Sequence, residues 1–223
     1  MKILSLDTSS DICCVSILED EKEIAKLQLD KGKTHSENLM PLISSILKNN
    51  NLTLSQIDLF VCDKGPGSFT GIRIGIATIK AFTDSLNIPS IGVNSLEVLA
   101  SSITSNGLVA SIIDAKNENC YLALYNKRNE DWIEQISPKA CTIYEAIDNI
   151  KNYLKSQKDI FLIGNGSINY QSILTENLEF DKLNFSDNND LNSFYVGLCG
   201  YKKFKNGIFE EVLPLYLKKP HIS

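Results

Sequence analysis

The chain has 223 residues, of which 43% are hydrophobic and 22% are charged, and its formal net charge is −5. A chain of this size can bury about 70% of the surface that its unfolded form exposes, so it can form a core without disulfides. Acidic and basic residues are mixed, with no lysine-arginine block, which argues against strong autonomous binding to nucleic-acid phosphates. If nucleic acid is involved, we expect another chain to hold it.

The six cysteines do not indicate a disulfide framework. Cys13 and Cys14 are adjacent in a strand-like run and so point to opposite faces, and the other four are scattered among apolar neighbours. This usage is typical of buried thiols in a reducing compartment. The N-terminus has too few apolar residues for a signal peptide, and no window approaches the length of a membrane span. We therefore expect a cytoplasmic protein with no membrane partner.

Two passages share the order of a strand, an Asp and a second strand paired as a hairpin. The Asp residues are Asp7 and Asp114. The strand segments are residues 3–6, 12–18, 108–113 and 120–125. The shared order predicts two related subdomains, an N-terminal one over 1–105 and a C-terminal one over 106–223.

Between the two passages, a helix is predicted to begin at Thr34, because Thr34 and Glu37 have the spacing of a capping box. An apolar stripe at steps of three and four residues follows, and Pro41 within it predicts a kink. The stripe consists of Leu39, Leu42, Ile43, Ile46 and Leu47.

A glycine-rich loop, Gly65-Pro66-Gly67-Ser68-Phe69-Thr70-Gly71, connects a buried strand at 57–62 to a helix at 72–86. Such a turn places free backbone N–H groups at a helix N-terminus, where anions bind. It is not a Walker loop, since no Lys follows at the required step, and its third glycine comes one residue late for a Rossmann loop. In the alternative interpretation Pro66 fixes a turn, the glycines adopt positive φ, and Ser68 or Thr70 caps the helix.

Small residues on the following helix favour close packing. Gly71 and Gly75 lie four residues apart on one face, which lets a neighbouring helix approach closely. That neighbour could belong to the same chain or to another subunit. An exposed Phe69 at the loop tip would favour another subunit.

The rest of the chain alternates strands and helices, which predicts an α/β fold with a mixed sheet in each half. The predicted strands are 88–93 and 160–163; the predicted helices are 94–104, 143–154, a short one after Gly164 and 194–204. Residues 176–192 are polar and are predicted to form a loop.

The turn Asp7-Thr8-Ser9-Ser10 combines a carboxylate with three hydroxyls that could face a phosphate or a metal-bound nucleotide. The same residues also form ordinary side-chain turns. Asp114 occupies the matching place in the second half, and both interpretations stay open there. The candidate nucleotide-binding residues are Asp7, Thr8, Ser9, Gly65, Gly67, Ser68 and Asp114.

Histidine is scarce, since only His35 and His221 occur. A helical metal site would need a second histidine at position 39, which is Leu39. No nucleophile-elbow motif supports a hydrolytic triad. We therefore expect no metal and no catalytic residue in this chain.

Four strings of the sequence resemble the TsaB (YeaZ) family in residues, order and spacing. They cover the first hundred residues, and the second half resembles the family more weakly. The strings are Ile3-Leu4-Ser5-Leu6-Asp7-Thr8-Ser9-Ser10, His35-Ser36-Glu37-Asn38-Leu39-Met40-Pro41, Gly65-Pro66-Gly67-Ser68-Phe69-Thr70-Gly71-Ile72-Arg73-Ile74-Gly75 and Val93-Asn94-Ser95-Leu96-Glu97.

The resemblance implies an actin-like ATPase fold (ASKHA, ribonuclease H-like) built from two duplicated subdomains. It implies a noncatalytic scaffold subunit that dimerises with a TsaD-like catalytic subunit. With a TsaE-like ATPase, this subunit supports transfer of a threonylcarbamoyl group to adenosine in the tRNA anticodon loop. No cofactor is then required here, ATP and metal are expected on the partner subunits, tRNA is reached through the complex, and a homodimer is a further expectation.

The family's interface helices would begin near His35 and Ile72. The implied interface residues are His35, Glu37, Leu39, Leu42, Phe69, Gly71, Ile72, Gly75 and Ile79. The metal-binding pair of the TsaD-like subunit would fall on His35 and Leu39, so one ligand is missing. Lys116 and Lys218 replace an expected Arg, and Lys lacks the planar fork of Arg.

Two other functions remain as alternatives. One is an active actin-fold small-molecule kinase or ATPase that uses Asp7 and Asp114 around magnesium-ATP. Against it, the Asp7 turn lacks the glycine of the Asp-x-Gly-Thr phosphate turn, so a phosphate cannot approach its backbone as closely. The other is a metallopeptidase, which the missing histidine disfavours.

Overall fold

The computed structural model describes residues 1–29, 34–129, 131–154 and 159–217. The described residues divide into two compact units, the first made of those within 1–98 and 191–215 and the second of those within 99–190 together with residues 216 and 217. The predicted division at residue 105 differs from this in two respects. Residues 99–105 belong to the second unit. Residues 191–215 return to the first unit, because their helix packs on the first sheet.

The secondary structure alternates as expected for an α/β protein. The strands are β1 (Lys2–Asp7), β2 (Cys13–Glu19), β3 (Lys22–Leu29), β4 (Leu59–Asp63), β5 (Ser90–Val93), β6 (Gly107–Asp114), β7 (Asn119–Arg128), β8 (Asp131–Thr142), β9 (Ile160–Ile163) and β10 (Leu183–Phe185). The helices are α1 (His35–Asn49), α2 (Phe69–Leu86), α3 (Ser95–Ser101), α4 (Ile143–Leu154), α5 (Asn165–Asn169), α6 (Gln171–Asn177) and α7 (Ser193–Lys205).

The two units contain sheets of the same topology. The first sheet has the order β3-β2-β1-β4-β5 and the second has the order β8-β7-β6-β9-β10. In the first sheet the central strand β1 pairs antiparallel with β2 and parallel with β4. In the second sheet the central strand β6 pairs antiparallel with β7 and parallel with β9. The predicted duplication of an α/β subdomain is therefore confirmed.

The first sheet is covered on both faces. On one face Leu4 and Leu6 of β1 lie in a core with the apolar stripes of α1 and α2. On the other face, α7 contacts the sheet at Gly197 and Gly200, where a Cβ would lie 2.6 Å from Leu18 Cδ1 and 2.4 Å from Val61 Cγ1. Complete burial of each Leu or Ile in such a core contributes about 1.5–3 kcal/mol.

Polar contacts hold α7 and the segment after it on the first unit. Ser5 Oγ donates to the Ser193 carbonyl at 2.6 Å, at the N-terminal end of α7. Lys203 Nζ, near the other end of α7, lies 2.9 Å from Glu97 and also contacts Glu210. Lys64 Nζ lies 2.6 Å from the second carboxylate oxygen of Glu210. The segment after α7 is therefore bound by an ion network as well as by packing.

The second unit buries one face of its sheet beneath α4. Every apolar residue of the α4 stripe is buried, and Leu174 of α6 and Leu178 complete this core. The predicted bounds of α4 (143–154) and of β9 (160–163) agree with the structure.

Several elements differ from the sequence predictions. Helix α2 begins at Phe69 instead of Ile72, because Ser68 Oγ caps it by accepting from Gly71 N at 3.3 Å. The edge strands β3 and β8 were not predicted, since none of their residues is fully buried and each strand carries three charged side chains. The predicted loop 176–192 contains β10. None of the described helices is long and apolar enough to cross a membrane.

Candidate functional site

The candidate site lies at the edge of the first sheet where β1 and β4 end, because these strands are parallel and their carboxyl ends lie together. Asp7 ends β1, and the turn Asp7–Ser10 leads into β2. The loop Gly65–Gly71 follows β4 and leads into α2. The sequence string that best identifies the chain thus lies against the Asp7 turn.

The glycine-rich loop contacts the Asp7 turn at backbone distance. A Cβ at Gly67 would lie 2.3 Å from the Ser9 carbonyl oxygen, and a Cβ at Gly71 would lie 1.8 Å from that of Thr8. Ser68 N donates to the Ser9 carbonyl at 2.6 Å, and Thr8 Oγ1 donates to the Gly71 carbonyl at 2.7 Å. These glycines are required by the close approach of two backbones. The turn interpretation predicted positive φ for the loop glycines, which is confirmed for Gly65 at +96° and is wrong for Gly67 and Gly71.

This packing corrects the prediction that a partner's helix approaches the small residues of α2. A Cβ at Gly75 would lie 2.6 Å from Thr8 Oγ1 and 2.9 Å from Leu6 Cδ1, so this face of α2 packs on the chain's own β1 and turn. The internal alternative is the correct one. The buried members of the predicted interface set are Leu39, Leu42, Gly71, Ile72, Gly75 and Ile79.

Other members of that set are accessible. Phe69 is 49% exposed at the start of α2, and the Arg73 guanidinium lies 3.8 Å from the centroid of its ring. Glu37 is exposed in the first turn of α1, where it forms the predicted capping box with Thr34. Met40, which lies one turn further along α1 and was not in the predicted set, is also 49% exposed. A partner could therefore contact α1 and α2 through these outward side chains.

His35 ties the N-terminus of α1 to the Asp7 turn. Its Nε2 lies 2.8 Å from the Ser10 carbonyl oxygen, which can only accept, so Nε2 carries a proton in this contact. Its Nδ1 is buried with no hydrogen-bond partner among the described residues. His35 is thus a positioning residue of the turn.

A pair of buried carboxyl groups lies beneath the turn, and sequence reasoning identified only Asp7 of the two. The second is Asp63, the last residue of β4. Asp63 Oδ1 accepts from Gly65 N at 2.7 Å and from Ser95 Oγ at 2.8 Å, and its Oδ2 accepts from Ser9 Oγ at 3.3 Å. Asp7 Oδ1 accepts from Ser9 N at 2.8 Å.

Burial governs the protonation of this pair. Burial raises the pKa of Asp7, although hydrogen bonds from Ser9 and Asp63 oppose the shift. Burial also raises the pKa of Asp63 well above its usual value, and the nearby charge of Asp7 raises it further. The charge of one carboxylate disfavours ionisation of the other, so the pair holds a proton to higher pH than exposed carboxyls do.

The candidate phosphate-binding groups of the turn bond to the protein itself. The Thr8 hydroxyl donates to Gly71, the Ser9 N–H to Asp7 and the Ser9 hydroxyl to Asp63. Thr8 and Ser9 are also buried. In this arrangement the first turn acts as a structural joint between β1, β4 and α2.

The matching turn in the second unit has the opposite character. Asp114 ends β6 and accepts from Lys116 N at 2.7 Å, from Tyr170 OH at 2.7 Å and from Asn169 Nδ2 at 2.9 Å. Partial burial opposes its ionisation, but the hydrogen bonds from Tyr170, Lys116 and Asn169 outweigh burial and hold the pKa of Asp114 below its usual value. Asp114 is therefore an ionised carboxylate.

The backbone of this second turn is left-handed over three successive residues. Lys116, Asn117 and Glu118 have φ values of 65°, 52° and 56°, and all three are exposed. Non-glycine residues rarely adopt this region, and the turn is held by hydrogen bonds to Asn119. Lys116, where the resemblance implied an Arg, points its ammonium to Asp114 at 3.3 Å.

Two further points concern metal ligands and residues near the C-terminus. Over the described ranges, no group of three or more His, Cys, Asp or Glu side chains could hold a metal ion. Lys218, where the resemblance implied an Arg, and His221 lie outside the described residues.

Comparison with known proteins gives consistent results. A family model described as TsaD: tRNA N6-adenosine threonylcarbamoyltransferase matches residues 29–193. The tRNA threonylcarbamoyladenosine biosynthesis protein TsaB of Buchnera aphidicola subsp. Baizongia pistaciae is 26% identical over 97% of this chain and 98% of its own length. The protein of the same name from subsp. Schizaphis graminum is 31% identical over 81% of this chain and 85% of its own length.

Solved structures share the fold. YeaZ from Pseudomonas aeruginosa superposes with a TM-score of 0.77 at 22% identity, over 97% of this chain and 99% of its own. The ROK hexokinase from Thermus thermophilus gives a TM-score of 0.55 at 10% identity, over 93% of this chain and 100% of its own. The duplicated sheets thus define an actin-like ATPase fold, as the sequence predicted. Within that fold, the chain belongs to the TsaB (YeaZ) family.

Proposed function

We propose that this chain is a noncatalytic cytoplasmic subunit that binds and activates a TsaD-like transferase. With a TsaE-like ATPase, the pair transfers a threonylcarbamoyl group to adenosine in tRNA. The names of the relatives support a role in this pathway, and the match to the TsaD model supports common ancestry with the catalytic subunit. With a net charge of −5, this subunit reaches tRNA through the complex.

The inward bonding of the Asp7 turn is the observation that carries the noncatalytic role. A kinase or ATPase of this fold needs a phosphate-facing turn, whereas Thr8 and Ser9 here donate to Gly71, Asp7 and Asp63. ATP and metal are accordingly assigned to the partner subunits.

The proposed contact surface consists of the outward side chains of α1 and α2, which contact one another on the same face of the first sheet. Its residues are Glu37, Met40, Phe69 and Arg73. Aromatic, methionine and arginine side chains are enriched at protein interfaces, and stacked Arg and aromatic groups often dominate binding. Self-association through the same surface would compete with binding to the TsaD-like subunit.

A reconstituted reaction tests the function. TsaD-like and TsaE-like subunits are incubated with tRNA, threonylcarbamoyl adenylate and ATP, with and without this chain. We expect modified tRNA to accumulate over many turnovers only when it is present. An unchanged rate in its absence would refute the scaffold role.

A matched pair of variants tests the surface. Phe69→Asp should raise the Kd for the TsaD-like subunit by tenfold or more, equivalent to about 1.4 kcal/mol, and should reduce co-elution accordingly. Phe209→Asp is the control, because Phe209 is 63% exposed on the first unit but lies outside α1 and α2. Equal affinity of both variants, with unchanged thermal stability, would place the contact elsewhere.

The ionised Asp114 is the observation that favours the alternative of an active kinase or ATPase, since a carboxylate can hold magnesium-ATP, although only 8% of its side chain is exposed. Steady ATP hydrolysis by the isolated chain, abolished by Asp114→Asn in a folded variant, would support it. We expect no such hydrolysis.

A further inference from the structure

Two cysteines of the second unit lie directly opposite each other on neighbouring strands. Cys120 of β7 pairs with Cys141 of β8 in the antiparallel register, and their Sγ atoms are 3.9 Å apart. Cys120 is fully buried, whereas Cys141 is partly exposed near the end of β8. Neither side chain has a part in the proposed function.

The backbone geometry at this pair suits a disulfide. Directly opposed residues of antiparallel strands have Cα atoms about 4.5–5.5 Å apart. This separation lies within the range of about 4.4–6.8 Å that disulfides span. Closing the sulfur-sulfur distance therefore requires rotation of two side chains, and the strands can stay in register.

The surroundings of Cys141 make it the nucleophile of the pair. The hydrogen bond from the Cys120 thiol lowers the pKa of Cys141 and the charge of Lys139 lowers it further, against partial burial and the charge of Glu145. Burial instead raises the pKa of Cys13 to about 12 and raises that of Cys62 well above its usual value. Since the thiolate is the reactive form, Cys141 should react before those thiols.

We propose that Cys120 and Cys141 form a reversible intramolecular disulfide by exchange with a low-molecular-weight disulfide of the glutathione type. The Cys141 thiolate attacks one sulfur of the oxidant, forms a mixed disulfide and releases one thiolate. Cys120 then loses its proton and attacks Cys141 Sγ, which releases the second thiolate. Both leaving groups end as thiols, so the protein loses two hydrogen atoms and the oxidant gains them.

The cross-link would act on the second turn and on α4. Cys120 follows Asn119, whose carbonyl accepts from Ala115 N at 2.9 Å and from Tyr170 OH at 3.2 Å. On the other side, Cys141 precedes Thr142, which bonds to Glu145 in the first turn of α4. A disulfide would tether these two neighbouring ends of the sheet. In a reducing compartment the pair stays as thiols, and oxidation converts it.

The test uses the full-length chain in buffers of fixed ratios of reduced to oxidised glutathione, followed by acid quench, alkylation of remaining thiols and tryptic digestion. Cys120 and Cys141 fall on separate single-cysteine peptides, 117–127 and 140–151. We expect these two peptides to appear linked as the oxidised fraction rises, and to separate on reduction. The absence of the linked pair at every ratio would overturn the proposal.

Two variants identify the order of attack. Cys120→Ala should trap a persistent glutathione adduct on Cys141, whereas Cys141→Ala should leave Cys120 without an adduct. Cys199→Ala is the control, since Cys199 is a buried cysteine of the first unit, and it should leave the linkage unchanged. Linkage of Cys199 or Cys62 to either peptide in the folded wild-type chain would also overturn the proposal. The wild-type experiment stands even if a variant fails to fold.

Discussion

The two Asp turns occupy the same place in two sheets of the same strand order, yet they differ in electrostatics. Burial raises the pKa values of Asp7 and Asp63, whereas hydrogen bonds from Tyr170, Lys116 and Asn169 lower the pKa of Asp114 and keep it ionised. The difference arises from the neighbours. In the first unit a carboxyl group at the end of β4 faces Asp7, and in the second unit amide, phenol and ammonium donors surround Asp114. Duplicated backbone topology therefore does not preserve the chemistry of equivalent positions.

The largest expected effect comes from filling the contact between the glycine-rich loop and the first turn. Gly71→Ala places a Cβ against the Thr8 carbonyl oxygen, where backbone has to move, and should cost about 3 kcal/mol or more. Gly166→Ala is the matched change in the second unit. Its Cβ would lie 2.9 Å from the Ile112 carbonyl oxygen, compared with 1.8 Å from the Thr8 carbonyl oxygen at Gly71, so the backbone has to move less and a smaller loss is expected. Urea unfolding of both variants measures the difference, and equal losses would contradict the comparison.

The next effect concerns the buried pair. Asp63→Ala leaves the Gly65 N–H and the Ser95 hydroxyl without their acceptor, so it should reduce the free energy of unfolding by about 1–3 kcal/mol. Asp63→Asn keeps that acceptor oxygen, and its amide can donate to Asp7 in place of the proton that the pair holds.

The two Asp63 variants differ in their pH dependence. The folded pKa values of Asp7 and Asp63 are raised above the ordinary 3.8, so their contribution to stability is complete below that pH and is lost as pH rises through the folded values. Asp63→Asn removes one titrating group and should exceed the wild type in stability at alkaline pH, and it should lose this advantage as the pH falls and the wild-type pair becomes protonated. Parallel pH profiles of wild type and Asp63→Asn would show that the pair holds no such proton.

A smaller effect is expected at the second turn. Tyr170→Phe removes the hydroxyl that donates to Asp114 and should cost about 1.5 kcal/mol at neutral pH. The folded pKa of Asp114 is lowered, so its contribution is present above about pH 4 and is lost as pH falls through the folded value. The deficit of Tyr170→Phe should thus shrink in acid, in the direction opposite to that of the Asp63 pair. A deficit independent of pH would mean that the hydroxyl acts through Asn119 alone.

The smallest effect is expected for Lys116→Ala. The Lys116 side chain is 81% exposed, and exposed ion pairs contribute about 0–1 kcal/mol. Thermal unfolding in low and high salt should differ little between this variant and the wild type. A large loss would indicate that the ammonium, and not the Tyr170 and Asn169 donors, keeps Asp114 ionised.

Much of the fold was predictable from the sequence because the central strands are apolar and the helices begin with recognisable caps. The Thr34 capping box and the apolar stripe of α1 are local signals, and both predictions agree with the structure. Strands β3 and β8 carry exposed polar residues at the sheet edges, so pairing with a neighbour, and not local pattern, creates them.

The candidate site was less predictable, since its main features depend on tertiary contacts. Asp63 follows four apolar residues and precedes the glycine loop, and a carboxylate at that point was the signal that could have identified the pair. The glycines of α2 were predicted to allow close approach, which is confirmed, but sequence spacing does not reveal whether the approaching backbone belongs to the same chain. The Thr8 carbonyl beside Gly71 answers that question.

The return of α7 to the first sheet has a consequence for synthesis on the ribosome. The face of the first sheet that holds Leu18 and Val61 stays uncovered until residues 191–215 have been synthesised. The second unit, in contrast, has nearly all of its chain once residue 190 has emerged. The half that begins first is therefore completed last. Until α7 arrives, an uncovered apolar sheet face is open to aggregation or chaperone binding.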